Sequence, residues 1–324
     1  MLNKIYKYTP LRFDFFDNLL LRASQKYALN DPFELRPSHH SETNSIDMKH
    51  FEELSNASYF DYAVISLSET NNNLLMWSHY ADQHKGIVIE FDTSKPLFES
   101  YKDFTALRFD EDIEGEIIDI EENERRENIK AGCIQRVRYN SKRPNIKNFE
   151  NILEHFLIKS EEWIYEKEHR IILPLLTADF IITHEKFLDK IAFTLYDDEY
   201  FNRTSVGNSM YLIDIKNLLN REGERYLSEL YESPLVSYEE TKNSFIESIY
   251  QEYLKEISED PRTIFLYKTP PESIKSIYLG CRVSIADRDK LMKKITNSSK
   301  LSHVNIYQAI TSPTRFELEF QLLK

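Results

Sequence analysis

Apolar positions follow two spacings along this chain. Short runs rich in aromatic and β-branched residues predict strands, because such side chains suit a pleated surface. These runs lie at 4–8 (Lys4-Ile-Tyr-Lys-Tyr8), 26–29, 62–68, 87–92, 133–139, 263–268 and 274–280, and residues 304–322 alternate like a closing hairpin. Asn30-Asp31-Pro32, Asn71-Asn72-Asn73 and Pro270-Pro271 separate them with turn chemistry. Elsewhere the spacing widens to a helical period. Thr9 and Pro10 open a predicted helix carrying Phe13, Phe16, Leu19 and Leu20 on one face, and residues 74–82 place Trp77, Tyr80 and Ala81 together. Phe149 to Ser160 and Ser284 to Ile295 read as amphipathic helices, the second with Ser284 as its cap. Residues 175–262 break the texture, being acidic and helical at 212–219 and 241–256. They read as a mostly helical insertion or cap, with residues 1–174 and 263–324 forming the core.

The stretch Trp163-Ile-Tyr-Glu-Lys-Glu-His-Arg170, running on to Pro174, predicts one continuous strand. Alternation puts Glu166, Glu168 and Arg170 on one face and Trp163, Tyr165, Ile171 and Leu173 on the other. Two carboxylates and a guanidinium in one row are costly unless they meet water, a cleft or each other. Two readings fit: a solvated face neutralised by Arg170, or an active-site strand.

Composition removes several function classes. Gly is scarce (6 residues), and no glycine-rich dinucleotide or P-loop fingerprint occurs. A net charge of −13 gives no global attraction to nucleic acid or anionic membranes, which leaves room only for a local basic cleft. Two cysteines, Cys133 and Cys281, cannot build a disulfide framework and fit a reducing cytosol. No signal-like apolar run opens the chain and no stretch suits a bilayer, so a soluble cytoplasmic protein is expected. His39, His40 and His50 lack a second ligand cluster and read as a solvated segment, with no metal expected. The charge run from Asp110 to Glu127 reads as an exposed helix.

Several motifs appear in a telling order: Lys7-Tyr8, Asn30-Asp31-Pro32-Phe33-Glu34, Met76-Trp77-Ser78-His79-Tyr80-Ala81-Asp82, Gly86 with Glu90-Phe91-Asp92, Trp163-x-Tyr165-Glu166-x-Glu168-x-Arg170, and Pro271-x-x-Ile274-x-x-Ile277-x-Leu279-Gly280. Together they resemble the bacterial domain-of-unknown-function family 2971. More distantly, the order of elements and the late Glu-x-Glu strand are similar to the ADP-ribosyltransferase fold. That resemblance implies an α+β architecture, a split β-sheet core flanked by helices, in an enzyme that consumes NAD and moves ADP-ribose to a protein or nucleic-acid acceptor. It implies Glu168 and Glu166 as the catalytic carboxylates, with Glu168 against the ribose. Lys7 or Tyr8 takes the opening-strand role, although the family's His or Arg is missing there, and Ser66 and Ser68 match the hydroxyl-bearing strand. Arg170 binds a pyrophosphate oxygen or locks a glutamate. Trp77, Tyr80 or Tyr8 stacks on a base, and Asn30, Asp31 and His79 join the NAD-binding set through their motifs. Such folds serve as toxins or phage-defence effectors, with a regulatory or antitoxin partner. The alternatives are a non-catalytic binding or regulatory protein on the same fold, and a metal-dependent nuclease drawing on Asp31, Glu90, Asp92, Glu166 and Glu168.

Overall fold

The computed structural model describes residues 3–36, 60–98, 131–143, 152–192, 202–229 and 238–324. The three histidines at 39, 40 and 50 and the charge run at 110–127 lie outside these residues.

Strands β1 (Lys4–Thr9), β2 (Leu20–Gln25), β3 (Tyr62–Ser68) and β4 (Ile87–Asp92) come first, followed by the short β5 (Ile134–Arg136), β6 (Arg138–Asn140) and β7 (Ile158–Ser160). Then come β8 (Glu168–Pro174), β9 (Phe180–His184), β10 (Arg203–Gly207), β11 (Met210–Ile213), β12 (Ile264–Lys268), β13 (Ile274–Leu279), β14 (Asn305–Thr311) and β15 (Leu318–Leu322). The helices are α1 (Phe15–Asn18), α2 (Leu74–Tyr80), α3 (Leu188–Ala192), α4 (Ile215–Glu229), α5 (Tyr238–Ser258) and α6 (Ile285–Thr296). The chain is thus α+β. Thirteen of the strands join one mixed sheet, and β6 pairs β7 apart from it. The sheet's main path runs β10-β11-β9-β12-β2-β3-β1-β4-β13-β14-β15. Strand β8 branches off along β3, from Tyr62↔Pro174 to Ser68↔Glu168.

Alternation assigns the faces. Ile5, Ile65, Ile89, Phe91, Ile171 and Leu173 point into the largest hydrophobic cluster, which also takes Tyr250, Leu254 and Ile257 from α5. Tyr6, Tyr8 and Val88 point the other way, onto Met76 and Trp77 of α2. Tyr62, Val64 and Ile172 meet Phe156 and Leu157 on that second side. The described part of residues 175–262 brings three strands as well as helices α3 to α5, and β9 pairs directly with β12.

Four local expectations change. The segment 163–174 is not one strand. Glu161–Glu166 is a 3-10 helix, Lys167 turns left-handed (φ 45°), and β8 starts only at Glu168. Ser160 starts that turn, its side chain accepting from Glu162 N–H. Trp163 is therefore not a core residue of the strand but lies under a cation, with Lys159 Nζ 4.8 Å from its ring centroid. The described part of 149–160 is a 3-10 helix over Ile152–Leu157 running into β7, because Ile158, Lys159 and Ser160 pair in parallel with β6. The expected helix at 10–20 shrinks to α1, since Leu19 adopts φ 55° and Leu20 is already paired with Lys268. This shifts the strand expected at 26–29 forward to 20–25, with Lys26–Ala28 a single 3-10 turn.

Candidate functional site

The row of charges on β8 is not solvated. Glu168, Arg170 and Glu166 are 3%, 1% and 3% exposed, so the exposed-face reading fails. Buried ionised groups are tolerable only when paired and hydrogen-bonded. The partner that makes this possible is Lys159, in the middle of β7. Its Nζ lies 2.7 Å from Glu166 Oε2, 3.3 Å from Glu168 Oε2 and 3.3 Å from Glu34 Oε1. Arg170 completes the network. Its Nε donates to Glu168 Oε1 (2.7 Å), Nη1 to the Phe156 carbonyl (2.7 Å), and Nη2 to Glu168 Oε2 and to Glu34 Oε2. A planar fork of donors is what lets one side chain serve three acceptor groups at once.

The backbone around the network is fixed by polar side chains. Ser68 Oγ donates to the Glu166 carbonyl (2.7 Å), and Asn73 Nδ2 to the Tyr165 carbonyl (2.7 Å). Asn73 also caps α2, its Oδ1 accepting from Leu75 and Met76 N–H. The cap thus ties the helix carrying Tyr80 to the turn carrying Glu166. Tyr80 donates to Glu166 Oε1 at 2.5 Å, and Asn30 Nδ2 donates to the same phenol oxygen (3.0 Å). The Tyr139 hydroxyl accepts from Glu168 N–H (2.7 Å), and burial pushes that phenol up to about 12.

The two adjacent carboxylates diverge electrostatically. Burial outweighs every other influence on Glu166 and raises its pKa, aided by Glu168 and opposed by Lys159. Burial also opposes ionisation of Glu168, but Arg170 and Lys159 together overcome it and hold that carboxyl at about 2. Acceptor capacity divides the same way. A carboxylate offers about four acceptor positions. Glu168 takes two bonds from Arg170 and one from Lys159, and the Ser66 hydroxyl also favours its ionised form. Among the described residues Glu166 takes bonds only from Tyr80 and Lys159, so its oxygens keep room for a ligand.

These groups floor a cavity of about 240 Å³. Of the residues singled out from the sequence, Lys7, Tyr8, Asn30, Ser66, Ser68, Tyr80, Glu166, Glu168 and Arg170 line it. Three lie elsewhere. Trp77 is fully buried behind it, edge-on to Tyr8 (5.5 Å between centroids), with Nε1 donating to the Asn71 carbonyl. His79 is exposed on α2. Asp31 forms a turn, its Oδ1 accepting from Phe33 N–H, and faces a neighbouring cavity. Lys7 donates to the Ser66 carbonyl (2.9 Å), and desolvation lowers its pKa to about 8. Arg22, a residue without a sequence motif, adds a second cation to the same wall, its Nε without a hydrogen-bond partner among the described residues.

Lys159, Glu34 and Arg22 are the site residues that motif reading leaves unassigned. A signal for Lys159 exists: Glu34, Glu166 and Glu168 all sit in motifs, and Arg170 alone cannot neutralise three carboxylates. The acids named for a metal-dependent nuclease do not gather. Glu90 accepts from the Tyr278 hydroxyl (2.5 Å) and Asp92 pairs with Lys275 (3.0 Å). Among the described residues, no three His, Cys, Asp or Glu side chains are grouped to hold a metal ion. None of the described helices is long and apolar enough to cross a membrane.

No curated protein and no solved structure matches the chain. Over residues 76–171, from Met76 in α2 to Ile171 in β8, the chain carries the signature of the family described as Protein of unknown function (DUF2971), a span that includes Tyr80, Lys159, Glu166, Glu168 and Arg170.

Proposed function

We propose that the cavity receives the nicotinamide–ribose end of NAD and that the protein is an ADP-ribosyltransferase-like enzyme. The observation that carries this reading is the buried Glu166 carboxylate with open acceptor positions, at the floor of a cavity walled by tyrosines and two cations, Lys7 and Arg22. Breaking the nicotinamide–ribose bond sends its electron pair out with nicotinamide and leaves positive charge on the ribose. A fixed carboxylate beside that carbon is favoured most in the transition state. The acceptor's oxygen or nitrogen then bonds to that carbon, and its proton passes to Glu166, whose raised pKa suits a general base. Glu168, held by Arg170 and Lys159, is a positioning residue that holds the cations beneath Glu166. Lys7 and Arg22, neither in a salt bridge among the described residues, suit the pyrophosphate. At about 240 Å³ the cavity is smaller than the roughly 300–1,000 Å³ typical of whole-ligand pockets, so the adenosine half lies outside it.

The test is nicotinamide release from NAD, with label transfer to protein, RNA and DNA, by the wild-type chain and Glu166→Gln. Loss of a general base predicts a fall of about 10²–10⁴-fold in Glu166→Gln. Absence of both nicotinamide release and a melting shift with NAD would sink the proposal. The role we propose for such an enzyme is that of a toxin or defence effector, and growth arrest on expression that Glu166→Gln abolishes supports it. One observation favours a second reading, a binding or regulatory protein: every carboxylate of the site already contacts Lys159. A melting shift with NAD and no turnover identifies it.

A further inference from the structure

A second cavity, of about 270 Å³, lies beside the first and shares Glu34 and Lys159 with it. The remaining rim is unlike the rest of this acidic chain. Arg36, Lys142 and Arg143 are all exposed, and none pairs with a carboxylate among the described residues. Among the described residues lining the cavity only Asp31 stands against them, since Glu34 is already occupied by Arg170 and Lys159. On the same rim Phe33 is 61% exposed, and the Arg143 guanidinium stands 5.9 Å from its ring centroid. An aromatic ring left in water gains little for folding beyond its contact with Arg143. It is the pairing that holds single strands: cations track the phosphates and the ring stacks on a base. An acidic peptide satisfies the cations but leaves the flat ring unused.

We propose that this cavity docks single-stranded nucleic acid, with Phe33 as the base platform and Arg36, Lys142 and Arg143 on the phosphates. It is thereby where an acceptor strand approaches the NAD cavity through their shared Glu34–Lys159 wall. The acceptor role rests on the reading above; the binding does not. With a net charge of −13 the chain as a whole gives a strand no attraction, so the docking site assigned here rests on this rim's cations. The number of phosphates neutralised is therefore small and countable. Three cations predict a slope of log K against log salt of about −2 for a single strand.

The experiment is fluorescence anisotropy with short fluorescein-labelled single-stranded RNA and DNA across a salt series, with nicotinamide release measured in parallel. Binding with the stated slope is expected. Phe33→Ala should weaken it by at least about fivefold, the lower end of a lost stacking contact. Lys142→Glu combined with Arg143→Glu should abolish it, and both variants should keep the wild-type melting temperature, because these side chains are exposed. No binding at low salt, or binding indifferent to these substitutions, overturns the docking site. Nicotinamide release without strand binding overturns the docking site and leaves the NAD reading standing. Strand binding lost in Phe33→Ala, without NAD turnover, supports the docking site and removes the NAD reading. Label transfer to protein but never to the oligonucleotides overturns the acceptor role.

Discussion

Replacing Lys159 by methionine tests the charge network at its centre. The side chain is 3% exposed and lies within 3.3 Å of three carboxylates that are themselves buried. Methionine keeps most of the volume, so the change removes charge with little loss of packing. Breaking one buried ion pair by deleting a partner costs about 3–5 kcal/mol, because the survivor is left uncompensated. Here Arg170 remains on Glu34 and Glu168, which limits the damage there, but Glu166 keeps only the Tyr80 phenol. Glu166, already raised by burial, then holds a proton in the folded state at pH values where the unfolded chain has lost it. The native state binds more protons than the unfolded state, so stability falls as pH rises through the interval between the two pKa values. The slope is about 1.4 kcal/mol per pH unit for each proton retained. The cost of Lys159→Met is therefore about 3–5 kcal/mol at neutral pH and shrinks as the buffer is made more acidic. At roughly 2 °C per kcal/mol for a large chain, the melting temperature drops by on the order of 6–10 °C at pH 7. Differential scanning calorimetry of both proteins between pH 5 and 8 measures the difference. A loss that does not depend on pH, or no loss at all, refutes the account of Lys159 as the neutralising cation.

Other expected outcomes follow from the same geometry. Tyr80→Phe removes a charge-assisted bond to Glu166, costs about 1.5–3 kcal/mol in denaturant titrations, and moves the acid limb of any pH–rate profile upward. Lys7, lowered to about 8, carries its charge only below that pH, so affinity for inorganic pyrophosphate should weaken by up to about tenfold per pH unit above it. Its burial costs stability below about pH 8, and that cost is relieved as pH rises towards the ordinary lysine value; titration of Lys7→Met should lack both effects. Gly280→Ala puts a Cβ 2.1 Å from the His84 carbonyl oxygen, a backbone atom that cannot swing aside, and should cost at least about 1–3 kcal/mol by thermal melt.

Much of this architecture is legible in sequence because its signals are local. Strands β3, β4 and β13 are rich in β-branched and aromatic residues, and Ser284 caps α6 where the Ser–Asp spacing places it. The motif residues also converge, since β8 lies along β3 and brings Arg170 opposite Ser66 and Glu168 opposite Ser68. What local signals do not encode is the partner from elsewhere in the chain. Glu34 and Arg170 are 136 positions apart, and their pairing depends on the fold. Lys159 looks like an ordinary helix-ending lysine until strand β7 buries it. The left-handed Lys167 is equally silent, because a lysine carries no preference for positive φ. Its effect is large: it separates Glu166 from β8, so the two glutamates reach Lys159 from a turn and a strand rather than from one face.

The position of the cavity follows from how β3 is shared. One edge of β3 pairs with β8 from Tyr62 to Ser68. On the other edge, β2 reaches only Ala63 and Val64, and β1 reaches only Ser68. Between them the sheet splits over Ile65–Leu67, where strand backbone faces a gap instead of a ladder. Buried backbone carbonyls need partners. Lys7 supplies one by donating to the Ser66 carbonyl, and desolvation at that place lowers its pKa. The same split lets Tyr6, Tyr8, Arg22 and Ser24 line the cavity from both sides. Polar side chains are tolerated in this gap because the fold leaves hydrogen-bonding groups there to be met. The charged cluster on β8 thus borders an opening that the topology itself creates, and Glu166, held at its margin by Tyr80 and Ser68, is the carboxylate with acceptor positions left to offer a ligand.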